Sequence, residues 1–383
     1  MPLLDIKNLT LEIDAGTERV KALDKVSLTV NEGEIRALVG ESGSGKSLIV
    51  RSIIGAVPDH WTITADRLTW KGQNLMAMTQ EQRRQIMRRE IAVVFQDPTS
   101  SLDPSATLGD QLEESIPPEF VGSGAFWQKR KQRKEIAISL LHKVGIKDHV
   151  SCMNRYPHEI AVDISQKFMI AMALVSEPAI LIADDPTRSM ESTTKNQILK
   201  LLTRLNETKN LGILFVSHDL LAISSMAHTM TVLYCGQTVE SGKVRHLHRR
   251  PLHPYTRALL DSAPSFQTNL PPKSKLSTLK GTIPTLQHLP IGCRLGPRCP
   301  SAKRDCVKVP ELRSIQNHTY SCHFPLHMPN SGQGKAKKQN IDKVSAKQEA
   351  GQTETKLYQR MPQQASPKSA LGQIIEELKG ENE

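Results

Sequence analysis

One run of eight residues carries the strongest chemical signal in the chain. It reads Gly40-Glu41-Ser42-Gly43-Ser44-Gly45-Lys46-Ser47. Glycines let successive backbone N–H groups converge on phosphate oxygens, and a helix that starts there adds the positive end of its dipole. In such a loop the lysine reaches the β and γ phosphates and the serine hydroxyl ligates Mg²⁺. The run therefore predicts a nucleoside triphosphate site, with Lys46 and Ser47 as its charged and metal-binding side chains.

Two adjacent carboxylates follow an apolar run farther along the chain. Asp184 and Asp185 come directly after residues 180–183, Ile-Leu-Ile-Ala. Parallel strands deliver ligands to the edge of the sheet where the strands end. At that edge Asp184 is expected to hold Mg²⁺, and Asp185 to position or deprotonate the attacking water. The alternative is a pair of aspartates that only cap a loop before Pro186.

Two further polar side chains follow short apolar segments in the same way. Gln96 comes after residues 91–95, and His218 after residues 211–216. We expect Gln96 to be a second Mg²⁺ ligand and a catalytic-site residue, and His218 to contact the γ phosphate. A single histidine is more often structural, but its place after an apolar strand favours the catalytic interpretation. The sequence thus predicts several chemical groups along one sheet edge.

The elements that must hold these groups follow from the hydrophobic pattern. The first 35 residues alternate apolar and polar positions, which predicts a small antiparallel sheet. A strand, the glycine-rich loop and a helix over residues 47–54 follow. Apolar strands separated by helical crossovers indicate a mainly parallel sheet covered by helices. Residues 108–172 are predominantly helical and predict a separate helical lobe. The expected fold is an α/β nucleotide-binding core.

Length and charge narrow the class of protein. The chain has 383 residues and a net charge of +11, so more than one domain and an anionic partner are expected. Its apolar runs fall short of the roughly 18 residues of a spanning helix. The amino terminus lacks the pattern of a secretory signal, which favours the cytoplasm. The basic run 129–134 fits the solvated start of a helix better than a nucleic-acid patch, because no aromatic residues alternate with it.

Together these motifs resemble the ATP-binding subunits of ABC transporters. Residues 40–47 match the Walker A motif, Gln96 the Q-loop, Asp184 the Walker B aspartate and His218 the switch histidine. The resemblance implies a P-loop ATPase core that binds ATP with Mg²⁺ and hydrolyses it. It also implies that two such subunits pair, each ATP lying between the Walker motifs of one and the signature motif of the other.

The C-terminal motifs resemble the oligopeptide and dipeptide importers of that family. These motifs are His253-Pro254-Tyr255-Thr256, residues 291–300 (Ile-Gly-Cys-Arg-Leu-Gly-Pro-Arg-Cys-Pro) and Cys322-His323. Residues 291–300, together with residues 39–47 and 234–237, most resemble importers of the Sap type, which take up peptides including antimicrobial ones.

The resemblance runs over residues 1–328 and implies an ATP-binding domain at 1–265 and a small cysteine-containing domain at 266–328. The polar tail 329–383 is expected to be disordered, apart from a short amphipathic helix at 370–378.

The same resemblance implies the protein's partners and place in the cell. It predicts a second ATP-binding subunit, two membrane-spanning permease subunits and an extracytoplasmic peptide-binding protein, with no direct nucleic-acid contact. The chain would sit on the cytoplasmic face of the bacterial inner membrane. The rival classes are a regulatory subunit that binds ATP without much hydrolysis and a soluble ABC ATPase that acts on nucleic acid. Such soluble ATPases usually carry two cassettes, whereas a single phosphate loop is present here.

The signature motif departs from the family's Leu-Ser-Gly-Gly-Gln. Residues 160–164 are Ile-Ala-Val-Asp-Ile. They lack the serine hydroxyl and the two glycines of the family motif. A phosphate cannot approach that backbone easily, and Asp163 would repel it. We therefore expect a heterodimer, in which this chain's own phosphate loop pairs with an intact signature from a different subunit.

Other substitutions lie near the predicted chemistry. Asp185 replaces the family's catalytic glutamate and is one methylene shorter, so slower hydrolysis is expected. Glu191 replaces the D-loop aspartate, and no aromatic side chain stands near Arg19 and Val20 to stack on adenine.

Four of the six cysteines lie within 30 residues, namely Cys293, Cys299, Cys306 and Cys322. Four thiols in a cytosolic module favour a metal over disulfides. Their gaps of five, six and fifteen residues are wider than those common in zinc sites. The resemblance to peptide importers implies a [4Fe–4S] cluster, and zinc or free thiols are the alternatives. Cys152 and Cys235 are expected to be ordinary core residues.

Overall fold

The N-terminal alternating segments form two long paired strands. In this computed structural model, described for residues 2–14, 19–188, 190–263 and 279–327, β1 (Pro2–Asp14) pairs antiparallel with β2 (Arg19–Asn31). The remaining described strands are β3 (Ile35–Val39), β4 (Thr62–Thr64), β5 (Arg67–Trp70), β6 (Gln73–Asn74), β7 (Ile91–Val94), β8 (Ile180–Asp184), β9 (Gly212–Ser217), β10 (Thr229–Tyr234), β11 (Gln237–Lys243), β12 (Arg313–Ile315) and β13 (His318–Tyr320).

Helices fill the segments between these strands. The described α-helices are α1 (Lys46–Ile54), α2 (Gln80–Arg89), α3 (Pro98–Ser101), α4 (Leu108–Ser115), α5 (Phe126–Lys143), α6 (His149–Met153), α7 (Val162–Leu174), α8 (Ser192–Lys209), α9 (Leu220–Met226), α10 (Val244–Arg249) and α11 (Pro254–Ser262). Short 3₁₀ turns lie at Leu75–Ala77, Pro118–Phe120, Pro157–Glu159, Leu286–His288, Gly296–Arg298 and Arg304–Val307.

Two sheets result, and they differ in strand direction. The first has the order β2-β1-β5-β6, with β4 also paired to β1, and its pairs are antiparallel. The second has the order β12-β13-β11-β10-β3-β9-β8-β7. Within it the five strands from β10 to β7 are parallel. The predicted α/β core with an N-terminal antiparallel sheet is therefore confirmed.

The C-terminal end of the large sheet was not predicted from the sequence. Strand β11 pairs antiparallel with β10 on one side and with β13 on the other. Strands β12 and β13 form a hairpin whose turn contains Gln316 and Asn317, both with positive φ. The short strands of the cysteine-containing segment therefore extend the nucleotide-binding sheet.

The predicted helical segment 108–172 contains α4, α5, α6 and α7. The basic run lies near the start of α5, where Lys129, Arg130, Lys131 and Lys134 are exposed. Buried Ala137, Leu140 and Leu141 occupy its second half.

The chain divides into two compact units. One comprises residues 1–117 and 123–327, and all of the elements discussed below belong to it. The other comprises 118–122 and 328–383, of which only 118–122 are described. The predicted tail and its helix at 370–378 lie outside the described residues, as does the predicted boundary at residue 265.

A shared hydrophobic cluster joins the two sheets. Leu214 on the central strand β9 is fully buried in this cluster, together with Ile182 of β8 and Leu11 of β1. The parallel core strands are apolar on both faces, because a layer of side chains covers each face.

Replacing Leu214 with alanine tests how much this cluster contributes to the stability of the fold. The variant leaves a cavity between the sheets, and we expect the free energy of unfolding to fall by about 2–5 kcal/mol. Urea unfolding followed by circular dichroism measures the loss. Leu221→Ala on the exposed side of α9 (43 % exposed) is the control, with an expected change within about 0.5 kcal/mol. Equal losses in both variants would contradict the assignment of the core.

Candidate nucleotide site

The glycine-rich loop connects β3 to α1, as predicted. Gly43 and Gly45 have φ values of 81° and 102°, a region that strongly favours glycine. A Cβ on Gly40 would lie 2.2 Å from the backbone oxygen of Leu233. Helix α1 begins immediately after Gly45, and its first turn has no acidic residue. The loop thus ends at an unblocked helix N-terminus, which is suited to an anion.

Lys46 bends back over its own loop. Its Nζ donates to the backbone oxygens of Gly40 at 2.7 Å and Glu41 at 2.8 Å, and to Ser44 Oγ at 3.3 Å. Burial lowers the pKa of Lys46, and the nearby carboxylates of Asp185, Asp184 and Glu41 oppose that shift. The ammonium group is thus a partly buried cation whose hydrogen bonds can be exchanged for phosphate oxygens.

Asp184 ends strand β8 beside the start of α1. Its carboxylate is buried and accepts a hydrogen bond from the hydroxyl of Ser47. Burial raises the pKa of Asp184, the charge of Asp185 adds to that shift, and Ser47 and Lys46 oppose it. A serine hydroxyl and a carboxylate are hard oxygen ligands of the kind that Mg²⁺ prefers. Two of the three side chains predicted to hold the metal, Ser47 and Asp184, therefore meet directly.

Asp185 joins the ends of two neighbouring strands. Its Oδ1 accepts from Ser217 Oγ at 2.9 Å, and its Oδ2 lies 2.8 Å from His218 Nδ1. The backbone at Asp185 has a φ of 50°, a conformation that aspartate tolerates better than most residues. The histidine ring stays exposed on its other side. The carboxylate therefore orients His218 toward the open side of the site.

Gln96 follows β7, which pairs in parallel with β8. It therefore lies at the same sheet edge as Asp184. Gln166 of α7 donates to the backbone oxygen of Phe95 at 3.4 Å, which connects the glutamine's loop to the helical lobe.

Comparison with known proteins identifies this arrangement. The model of the ABC transporter family matches residues 23–188, and that of the oligopeptide/dipeptide transporter C-terminal region matches 239–306. The peptide transport system ATP-binding protein SapD of Escherichia coli O6:H1 is 52% identical over 328 residues, which cover 86% of this chain and 99% of that protein. The chain belongs to the ABC transporter family. It is therefore an ATPase of the ABC type.

Two more distant proteins extend the comparison. The dipeptide transport ATP-binding protein DppD of Escherichia coli K12 is 38% identical over 328 residues, covering 85% of this chain and 98% of that protein. The dimeric structure of the ATP-binding cassette MJ0796 in a post-hydrolysis state, bound to ADP and Pi, matches with a TM-score of 0.55 and 26% identity. That match covers 63% of this chain and 99% of the cassette.

The signature segment of this ABC protein lies at the start of α7. Ala161 is the N-cap and makes no side-chain hydrogen bond to the helix, and Asp163 lies in the first turn. The side chain of Val162 is 45 % exposed. A hydrophobic and an acidic side chain thus occupy a helix N-terminus where small residues would admit a phosphate.

The four C-terminal cysteines line one cavity, together with His253 and His323. All six cysteines of the chain are free, and Cys235 is buried whereas Cys152 is partly exposed. Burial, opposed by a backbone hydrogen bond and reinforced by the neighbouring thiols, raises the pKa of Cys322 to about 11. As positioned here, no group of three or more His, Cys, Asp or Glu side chains in the described ranges is close enough together to hold a metal ion.

Sequence reasoning missed one set of contacts at the phosphate loop. Arg298 pairs with Glu41, and Tyr255 Oη accepts from the backbone N–H of Glu41 at 2.9 Å. Both Arg298 and Tyr255 stand in motifs singled out for their resemblance to peptide importers, but nothing in the motifs shows which loop these residues contact.

Within the described ranges, every helix is too short or too polar to span a bilayer.

Asp184→Asn tests the electrostatics of the site. Because its folded-state pKa is raised, ionised Asp184 destabilises the nucleotide-free fold at neutral pH, and this effect disappears below the pKa of the unfolded chain. We expect Asp184→Asn to melt at a higher temperature than wild type at pH 7 without nucleotide. The difference should vanish toward pH 3.5, below the ordinary pKa of about 3.9. Thermal melts across this pH range, with Asp148→Asn as the exposed control, measure it. An unchanged or lower melting temperature at pH 7 would contradict the raised pKa.

Proposed function

We propose that this chain is the ATP-hydrolysing subunit of a peptide importer, of the kind that takes up peptides including antimicrobial ones. The observation that carries the proposal is the 52% identity to SapD over nearly the whole of that protein. The match to the oligopeptide/dipeptide transporter C-terminal region supports the same class. A described fold without membrane-spanning helices is consistent with a peripheral subunit at the cytoplasmic face of the inner membrane.

We propose a role for each residue at the sheet edge. Residues 40–47 bind the phosphates of ATP, with Lys46 transferring its hydrogen bonds from loop carbonyls to the β and γ phosphates. Ser47, Gln96 and Asp184 would hold Mg²⁺, which would neutralise negative charge on the phosphates. The contact between Ser47 and Asp184 supports this assignment.

Catalysis is assigned to Asp185, His218 and Gln96. Asp185 orients the attacking water and accepts its proton. His218, held by Asp185 at 2.8 Å, contacts the γ phosphate, and Gln96 completes the site from the neighbouring strand end. A carboxylate one methylene shorter than glutamate makes the water's approach less favourable, so this step is slow.

The altered signature supports a heterodimer. A homodimer would place residues 160–164 in both composite sites. With a second ATP-binding subunit, this chain's phosphate loop faces an intact signature. The site formed by the partner's phosphate loop and α7 of this chain binds ATP and hydrolyses it poorly. Two permease subunits and an extracytoplasmic peptide-binding protein complete the transporter.

ATP hydrolysis by the purified chain with and without its paired ATP-binding subunit tests the proposal. We expect activity that requires the partner. Lys46→Ala should lower kcat by roughly 10²-fold or more, because a preorganised cation is lost from the developing charge. Asp185→Glu should raise kcat several-fold, because the base reaches the water. Lys147→Ala, an exposed lysine of the helical lobe, is the control.

Two results would contradict parts of this assignment. Rapid turnover by the chain alone, as a dimer, would rule out the requirement for a different partner. Binding of ATP without hydrolysis in every combination would make the chain a regulatory subunit, the class that the altered signature also permits.

We further propose that Cys293, Cys299, Cys306 and Cys322 hold a [4Fe–4S] cluster. Their common cavity supports this assignment, because four thiolates are the ligand set of such clusters. Within the described residues the four thiols do not form a metal-holding group as they are positioned, so the proposal requires them to move closer together. Bound there, a cluster would cross-link the turns of the C-terminal segment.

Visible absorbance of chain purified without oxygen tests the cluster. We expect a brown colour that Cys299→Ser removes and that Cys152→Ser, outside the cavity, retains. Colourless protein with about one bound zinc per chain would replace the cluster with zinc. Titration of all six cysteines as free thiols, without any bound metal, would contradict both metal sites.

A further inference from the structure

The C-terminal segment contacts the phosphate loop through Arg298. Its Nη1 donates to Glu41 Oε2 at 3.0 Å, and its Nη2 donates to Oε1 at 3.4 Å. The guanidinium is therefore forked across the carboxylate, in the geometry that makes such pairs strong. Only 9 % of the Arg298 side chain is exposed, against 30 % for Glu41. This is a largely buried pair, which salt and water screen much less than a surface pair.

Two buried tyrosines fix the same pair. Arg298 donates to Tyr234 Oη at 3.3 Å and lies over the Tyr234 ring. Tyr255 packs against Tyr234, with ring centroids 4.7 Å apart, and its Oη accepts from the backbone N–H of Glu41. Both the backbone and the side chain of Glu41 are thus held by groups outside the phosphate loop.

A second arginine, four residues earlier in the sequence, reaches the loop by another route. Arg294 donates to the backbone oxygen of Cys235 and to Asp24 Oδ2 at 3.2 Å. Gly236, which follows Cys235 in the chain, donates its N–H to the backbone oxygen of Ser44 at 2.8 Å. Arg294 therefore stabilises the turn that holds the far side of the phosphate loop.

The charge of Glu41 makes the Arg298 contact significant for nucleotide binding. The Glu41 carboxylate lies close enough to Lys46 to raise its pKa. A carboxylate at that place competes with the phosphates for the Lys46 ammonium and repels a triphosphate. The guanidinium of Arg298 neutralises this carboxylate.

We propose that Arg298 is a positioning residue of the ATP site. It holds Glu41 away from Lys46 and fixes the shape of the phosphate loop, so that the C-terminal segment sets the affinity for ATP. The inference rests on the proposed role of residues 40–47 and goes beyond it, because it gives a segment more than 250 residues away in sequence a function at the same site.

Binding of a fluorescent ATP analogue with Mg²⁺ to the full chain tests this inference. We expect Arg298→Gln to weaken binding by about tenfold, since Glu41 is left charged and unpaired. Arg298→Lys keeps the positive charge but cannot make the two parallel hydrogen bonds, so its affinity for the analogue should fall about threefold. The control is Arg313→Gln, an exposed arginine of the same segment, with unchanged binding. Circular dichroism melts confirm that each variant is folded.

A double variant separates this electrostatic role from a merely structural one. If Arg298 acts by neutralising Glu41, then Glu41→Gln/Arg298→Gln removes both charges and should bind within about threefold of wild type. In ATPase assays with the partner subunit, Arg298→Gln should raise KM while kcat is kept, the pattern of lost ground-state binding.

The outcomes distinguish this inference from the proposed function. Wild-type binding that Lys46→Ala abolishes and Arg298→Gln leaves unchanged would overturn the inference alone. A double variant as weak as Arg298→Gln would also overturn it, because the arginine would then only anchor the segment. A wild-type chain that does not bind the analogue would overturn both the inference and the proposed function.

Discussion

The parallel pairing of β3, β9, β8 and β7 is the constraint on which the candidate site depends. Parallel strands end at a common edge, so groups that follow them in sequence meet in space. In this chain Asp184 pairs with Val216, and Val39 pairs with Ser217. That register brings the phosphate loop, the two aspartates and His218 together from segments up to 178 residues apart. The apolar core between the two sheets keeps the register, because a slipped strand would expose its hydrophobic residues.

The charges at this edge are arranged for a ligand and not for the stability of the empty fold. Asp184 is buried and has a raised pKa, and Lys46 is partly buried and has a lowered pKa. Burial therefore disfavours the charged form of each side chain when no nucleotide is bound. In the role that we propose, Mg²⁺ and a triphosphate would bring further opposite charge to these two side chains. Such a site gains binding free energy at the expense of the unliganded fold, as is common where function and stability conflict.

The N-termini of helices α1 and α7 differ in how they would interact with an anion. Helix α1 follows Gly45, has no acidic residue in its first turn and has no side-chain cap at its N-terminus. Helix α7 follows Ala161 and carries Asp163 in its first turn, so its positive end is already neutralised from within. The first arrangement favours phosphate and the second disfavours it. This contrast is the basis of the proposal that the chain pairs with a different ATP-binding subunit.

The sequence by itself determined the family, the α/β class and the main strands. Residues 40–47, Asp184 and His218 could be located because their signals are local: a glycine pattern, an apolar run and the polar residue that ends it. The observed strands and helices differ from the predicted bounds by about one residue at their ends, where hydrophobic periodicity is least informative. Strands β10 and β11 were also not predicted. The short strands near residue 318 were missed, because three-residue segments have no periodicity to detect.

Only the tertiary structure decided which distant residues touch. Nothing in the sequence pairs Arg298 with Glu41, orients Asp185 toward both Ser217 and His218, or places β13 beside β11. The sequence also left open whether the four cysteines of one 30-residue segment share a cavity, which they do. These contacts depend on how two sheets and their turns pack, and packing is a property of the whole chain. A local pattern fixes what a residue can do chemically, whereas the fold fixes the partner with which it does so.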